Sequence, residues 1–154
     1  MRRIIIAISL VTAACTEQPE VIPYEYTKAF TGETKKGWSI RSFTYTEEGK
    51  ANQTGLLNDC EADDIYIFYA NAEKTMEVLN GATKCEPEDP DVLASGSWSF
   101  VNANATLTLP FPLIADFALP FIVRDVEEDR MTIEIFFADG KSSYRFNFRV
   151  EDLE

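Results

Sequence analysis

Histidine is absent from all 154 residues of the chain. That absence removes Ser-His and Cys-His nucleophilic catalysis, and any zinc or iron centre that depends on imidazole. Basic residues are scarce as well. There are 14 Lys and Arg against 26 Asp and Glu, a formal net charge of −12. Nucleic-acid binding rests on Lys and Arg contacts with phosphate, so this balance argues against it. It argues equally against docking on anionic lipid head groups. Such a charge suits solubility and admits cationic or metal partners. No apolar run approaches the roughly 20 residues that a membrane-spanning helix needs. Helical spacing is missing too: no segment longer than about eight residues repeats its apolar positions every three or four.

The amino terminus carries the most specific local pattern. Met1-Arg2-Arg3 precedes an apolar run of about eleven residues, the length of an export-signal h-region, and the run ends in Ala13-Ala14-Cys15. This resembles the lipobox of bacterial lipoproteins, where the signal is cut before a Cys that is then lipidated. Thr12 stands where that motif usually has Leu. The resemblance implies an exported protein, held to a membrane of the bacterial envelope through acyl chains on Cys15, on its periplasmic or cell-surface face. An ordinary secretory signal with an incidental Cys is the other reading. Arg2 and Arg3 would leave with the signal, making the remainder two charges more negative. About 140 residues would stay, enough for one domain with a real core.

The expected organisation is a signal peptide over 1–14, a lipidated Cys15 and extended tether over 15–35, and one folded domain over 36–154. Pro19, Pro23, Glu17, Glu20 and Glu25 give the tether its extended character. Tyr24, Tyr26 and Phe30 are more aromatic than a pure linker needs, which suggests packing onto the domain.

From Gly37 onward the period is two. Trp38–Tyr45, Ile65–Tyr69, Thr75–Leu79, Val92–Phe100, Ala105–Leu109, Phe117–Val123, Met131–Phe137 and Tyr144–Val150 read as strands. Asn80-Gly81 and Asp139-Gly140 read as hairpin turns, and Gly96 as a bend. About eight short strands joined by hairpin-like turns predict an all-β fold, a barrel or a sandwich. The small antiparallel up-and-down barrel is favoured, because closure removes edges that would otherwise aggregate. Cys60 and Cys85 form an even pair in an exported chain, which predicts a disulfide rather than two free thiols.

Three blocks carry a further resemblance. They are Leu57–Phe68, with Asp63-Asp64 after the first Cys; Asn80–Pro90, with Pro87-Glu88-Asp89-Pro90 after the second; and Gly96–Phe100. With Lys36–Ile40 upstream, they resemble the lipocalin-like domains of bacterial surface and periplasmic lipoproteins over roughly residues 30 to 152. The resemblance implies a β-barrel with a Cys60–Cys85 bridge. It implies little about activity, since fold does not fix function. Lipocalins carry Gly-x-Trp on the first strand. Here Gly37-Trp38 lacks the spacer, and the spaced form Gly96-Ser97-Trp98 is in mid-chain.

Two candidate sites follow. Trp38, Ile40, Ile67, Trp98, Phe146 and Phe148 are expected to face the barrel interior, as the wall of an apolar pocket or as a packed core. A bridge between Cys60 and Cys85 would gather Asp63, Asp64, Glu86, Glu88, Asp89 and Asp91 at one rim, as a Ca²⁺ site or as solvated turns. No EF-hand spacing is present, so no cofactor is expected beyond that Ca²⁺ alternative. Nothing marks any carboxylate pair as catalytic. The expected function is non-catalytic: binding of a small apolar ligand, or a filled barrel that docks other envelope proteins.

Overall fold

Alternating apolar and polar residues produce a ten-stranded antiparallel sheet in the computed structural model, which describes residues 25–153. Cys15, the signal over 1–14 and the tether up to residue 24 lie outside those residues. The elements are α1 (Tyr26–Thr31), β1 (Lys35–Glu47), β2 (Gln53–Gly55), α2 (Asp59–Ala62), β3 (Ile65–Tyr69) and β4 (Thr75–Leu79). They continue as β5 (Val92–Ser97), β6 (Ser99–Val101), β7 (Thr106–Phe111), β8 (Ala115–Val126), β9 (Arg130–Phe136) and β10 (Ser142–Glu151).

The strands are ordered β5-β4-β3-β1-β10-β9-β8-β7-β6, with β2 added to β1. The first and last strands of that path, β5 and β6, are separated in sequence by Trp98 alone. The sheet therefore curls back on itself, with β5 lying against β7, into a nearly closed barrel of nine strands. The expected barrel of about eight strands gains two. One is the three-residue β2. The other arises because Val92–Phe100 is not one strand: it breaks at Trp98, not at Gly96.

Which side chains face in is set by the pleat. Leu107, Leu109 and Phe111 of β7 alternate inward, as do Met131 and Ile133 of β9 and Phe146 and Phe148 of β10. Strand β1 needs a correction to its parity. Trp38 and Ile40 face in, then a bulge between Ile40 and Ser42 shifts the register, so Phe43 pairs with Phe146. The extra residue lets one strand keep both its even and its odd aromatics on the core side.

Two expectations fail. Asn80-Gly81 is not a hairpin turn, because the next strand begins only at Val92. Neither residue has the positive φ that a type I′ turn requires. Asp139-Gly140 does turn the chain: Gly140 has φ 65°, and the Asp139 carboxylate accepts the Lys141 and Ser142 amides. The second failure is the extended character of the tether's described part, although Phe30 packs onto the domain as its aromatic character suggested. Residues 26–31 of the tether form helix α1, which closes one end of the barrel. Phe30 is 0% exposed, with its ring 4.2 Å from Phe68, 5.0 Å from Trp98 and 5.1 Å from Phe100. The Trp38 indole N–H donates to the Phe30 carbonyl at 2.9 Å. No described helix is long and apolar enough to cross a membrane.

Candidate functional site

The middle of the barrel is filled. Trp38 is 0% and Trp98 2% exposed, and both are packed by Phe30, with Phe68 and Phe100 also against Trp98. Five of the six expected interior residues, Trp38, Ile40, Trp98, Phe146 and Phe148, belong to this core. Ile67 does not. Tyr66 and Phe68 take the inward positions of β3, and Ile67 shares the outer face with Glu77, its partner on β4. A strand apolar on both faces leaves its parity open in the sequence, and here the larger rings went in.

An apolar space remains at the mouth, the end away from α1. A cavity of about 320 Å³ opens between Phe43, Leu57, Leu113, Ile114, Tyr144 and Phe146. Of the six expected pocket residues, Phe146 alone lines it. Loops between strands supply most of the wall: Leu56 and Leu57 before α2, Leu113 and Ile114 between β7 and β8. Sequence reasoning missed them because it sought the ligand among strand residues. Their one signal was paired apolar side chains inside loops.

A second lobe of about 170 Å³ adjoins the first, sharing Glu61 and Leu113 with it. Cys60 and Cys85 lie in its wall and are bridged, with Cα atoms 5.0 Å apart. The sequence places these groups for local reasons. Asn58 starts α2, and the Glu61 carboxylate accepts its backbone and side-chain N–H groups, a capping box. The Asp64 carboxylate accepts the Gly81 N–H at 3.2 Å, and Asp63 accepts the Thr83 N–H at 2.9 Å. A Cβ on Gly81 would sit 2.1 Å from the Asp63 carboxylate, so only glycine lets the two loops approach this closely.

The acidic rim does not form the Ca²⁺ site. Among the described residues no three carboxylates stand close enough to hold one ion. Asp63 and Asp64 are turned to the β4–β5 loop, Asp89 accepts the Glu86 N–H within its own turn, and Asp91 is paired with Lys84 at 2.8 Å. Glu86 and Glu88 stay exposed. The bridge brings the loops together, but the carboxylates are taken up by loop amides and Lys84 or left in solvent, and do not converge on one point.

Burial pushes the Asp64 carboxyl up to about 6, the Gly81 amide opposes this, and Asp63, Glu61 and Asp89 add to it. Burial also raises the Tyr66 hydroxyl far above its usual range, so it stays neutral. A carboxyl raised on folding stabilises the fold fully below its unfolded value, roughly 3.9, and that contribution is lost as pH rises through about 6. Asp64→Asn keeps the acceptor for Gly81 and removes the charge. Urea denaturation should find it about 2 kcal/mol more stable than wild type at pH 7.5 and no more stable at pH 4. Equal stability at pH 7.5 would show that the charge carries no cost.

One other ionic group is buried, on the outer face of β9. Glu134 is 2% exposed and accepts from Arg124 at 2.5 Å, Ser143 at 2.6 Å and Arg145 at 3.2 Å. Burial opposes its charge, but these hydrogen bonds outweigh burial and hold the carboxyl below its ordinary range. It pairs with Arg145, between the mouth residues Tyr144 and Phe146 in the register but on the outer face, and ties β8, β9 and β10 together.

No protein-family model matches the chain, and no curated protein matches it, so what the protein does is argued from the barrel and its mouth.

Proposed function

We propose that the protein is a lipocalin-like envelope lipoprotein, anchored through Cys15, that holds a small apolar ligand at the mouth of its barrel without catalysis. The observation that carries this is the cavity of about 320 Å³ walled by Phe43, Leu57, Ile114 and Phe146. Its size is that of a small-ligand pocket, at the lower end of roughly 300–1,000 Å³. Its wall is mostly apolar and aromatic, with Asn58, Glu61 and the Tyr144 side chain as its polar groups. The anchor is supported by the two-Arg leader, the short apolar run and Ala13-Ala14-Cys15. Palmitate labelling in a Gram-negative host that vanishes in Cys15→Ser checks it, and labelling that persists in the variant refutes it.

The filled core favours a second reading, in which the barrel is an interaction module with no ligand. A neutral apolar dye, N-phenyl-1-naphthylamine, separates the two. Saturable one-to-one binding is expected, weakened about tenfold by Ile114→Trp, which fills the mouth. Trp38 and Trp98 are packed at the other end, so their emission should not change on binding. Absence of saturable dye uptake by the wild-type protein leaves the interaction module.

A further inference from the structure

We infer that the mouth's ligand is an amphipathic organic amine, with its apolar body between Phe43, Leu57 and Phe146 and its ammonium group against Glu61, Asp64 and Tyr66. This rests on the mouth-binding reading above and adds the chemistry of the head group. Three carboxylates, Glu61, Asp64 and Asp89, line the two adjoining lobes, and neither lobe has a Lys or Arg in its wall. The nearest cation of these loops, Lys84, is held by the Asp89 carbonyl at 2.6 Å and by the Asp91 carboxylate.

The acidic lobe has acceptors left over. Glu61 uses Oε2 for Asn58, Asp64 uses Oδ1 for Gly81, and Asp89 uses Oδ2 for Glu86. The second oxygen of each has no partner among the described residues. Tyr66 is the independent sign of a ligand. It is only 2% exposed, it lines the lobe, and its hydroxyl makes no hydrogen bond to any described residue. With the ring enclosed, the hydroxyl is left to face the lobe, where it can accept from a bound donor. A primary ammonium has three N–H donors and no acceptor, which matches carboxylate oxygens and a neutral phenol. A compact metal ion does not fit, since no three carboxylates converge on a point. A fatty-acid head group would meet only like charge.

The lobes meet at Glu61 and Leu113. A ligand spanning them places charge and chain in adjacent volumes of about 170 and 320 Å³. The desolvated ammonium would be matched by Asp64, which already carries the repulsion of Glu61, Asp63 and Asp89.

Calorimetry with dodecylammonium, 1-dodecanol and dodecanoate, each below its aggregation limit, tests this on the intact protein at neutral pH. Dodecylammonium should bind about tenfold more tightly than dodecanol, the scale of one charged hydrogen-bonded contact, and dodecanoate more weakly than either. Glu61→Gln with Asp64→Asn should abolish the ammonium preference, bringing dodecylammonium to the affinity of dodecanol for the same variant, and a far-UV circular dichroism spectrum like wild type shows that the variant is folded. Equal binding of all three probes overturns the amine assignment and leaves the apolar mouth standing. A preference that survives the double variant assigns it to general surface charge and also overturns it. No binding by any probe removes the mouth reading itself.

Discussion

Phe30→Ala should lower the unfolding free energy by about 3–5 kcal/mol, the range for emptying a buried Phe position. The ring is 0% exposed and touches Trp38, Phe68, Trp98 and Phe100. Those partners come from three separate strands and from the segment between β5 and β6, where the barrel closes. Truncation therefore opens a hole at the seam. It also removes what holds α1. A helix of six residues does not persist by its own hydrogen bonds, so its stability is that of its packed face, Ala29, Phe30 and Thr31. If α1 leaves, the Trp38 indole loses its acceptor, the Phe30 carbonyl, and the Lys36 ammonium loses the Ala29 carbonyl. A red shift of native Trp emission should accompany the loss in urea melts. Phe30→Leu should cost much less, because it keeps most of the volume. A change under about 1 kcal/mol for Phe30→Ala, a level usual for surface positions, would show that α1 is an appendage and not part of the core.

The strands were legible because two-residue periodicity is a local signal. Ile65–Tyr69 and Thr75–Leu79 have the observed limits, and Met131–Phe137 and Tyr144–Val150 differ by one or two residues. What escaped was set by tertiary contact. Helix α1 has too few residues to show a period, and its place is fixed by rings from β3 and β6. The bulge in β1 exists because Ile40 and Phe43 both need the core, a conflict visible only once the strand has a partner. Asn80-Gly81 looked like a turn because those residues commonly make one. Its glycine instead answers to Asp63, 18 residues earlier in the chain. Of the site, Phe146 and the acidic residues near the bridge were legible, the latter through the cysteine spacing. The mouth's apolar loops were not, since nothing in Leu56-Leu57 or Leu113-Ile114 says that the two loops meet.

Replacing both Cys60 and Cys85 by Ser should cost about 3.5 kcal/mol, within the roughly 2–5 kcal/mol typical of a native disulfide in a small domain. The bridge closes a separation of 25 residues, and its weight is increased by how little else secures the two segments it joins. Helix α2 has four residues and none of them is buried. The β4–β5 loop spans 80–91 with few backbone bonds of its own, chiefly Asn80 to Asp91 and Asp89 to Glu86. Without the bridge, the attachment rests on the Asp63 and Asp64 acceptors for Thr83 and Gly81, and these two carboxylates repel each other and Glu61. The damage should therefore be confined to the mouth. The packing of Phe30, Trp38 and Trp98 at the far end is independent of both loops, so native Trp emission should stay at its wild-type position. Dye and dodecylammonium binding should fall together, because Cys60, Cys85 and Asp64 share one wall with the lobe that adjoins the apolar cavity. Denaturation of the oxidised and the Cys-free proteins gives the energy, and calorimetry on the folded Cys-free protein gives the site. If the Cys-free protein loses stability but binds dodecylammonium like wild type, the bridge is a clamp on the unfolded chain alone and the acidic lobe is shaped by its hydrogen bonds. If it loses both, the disulfide builds the site as well as the fold.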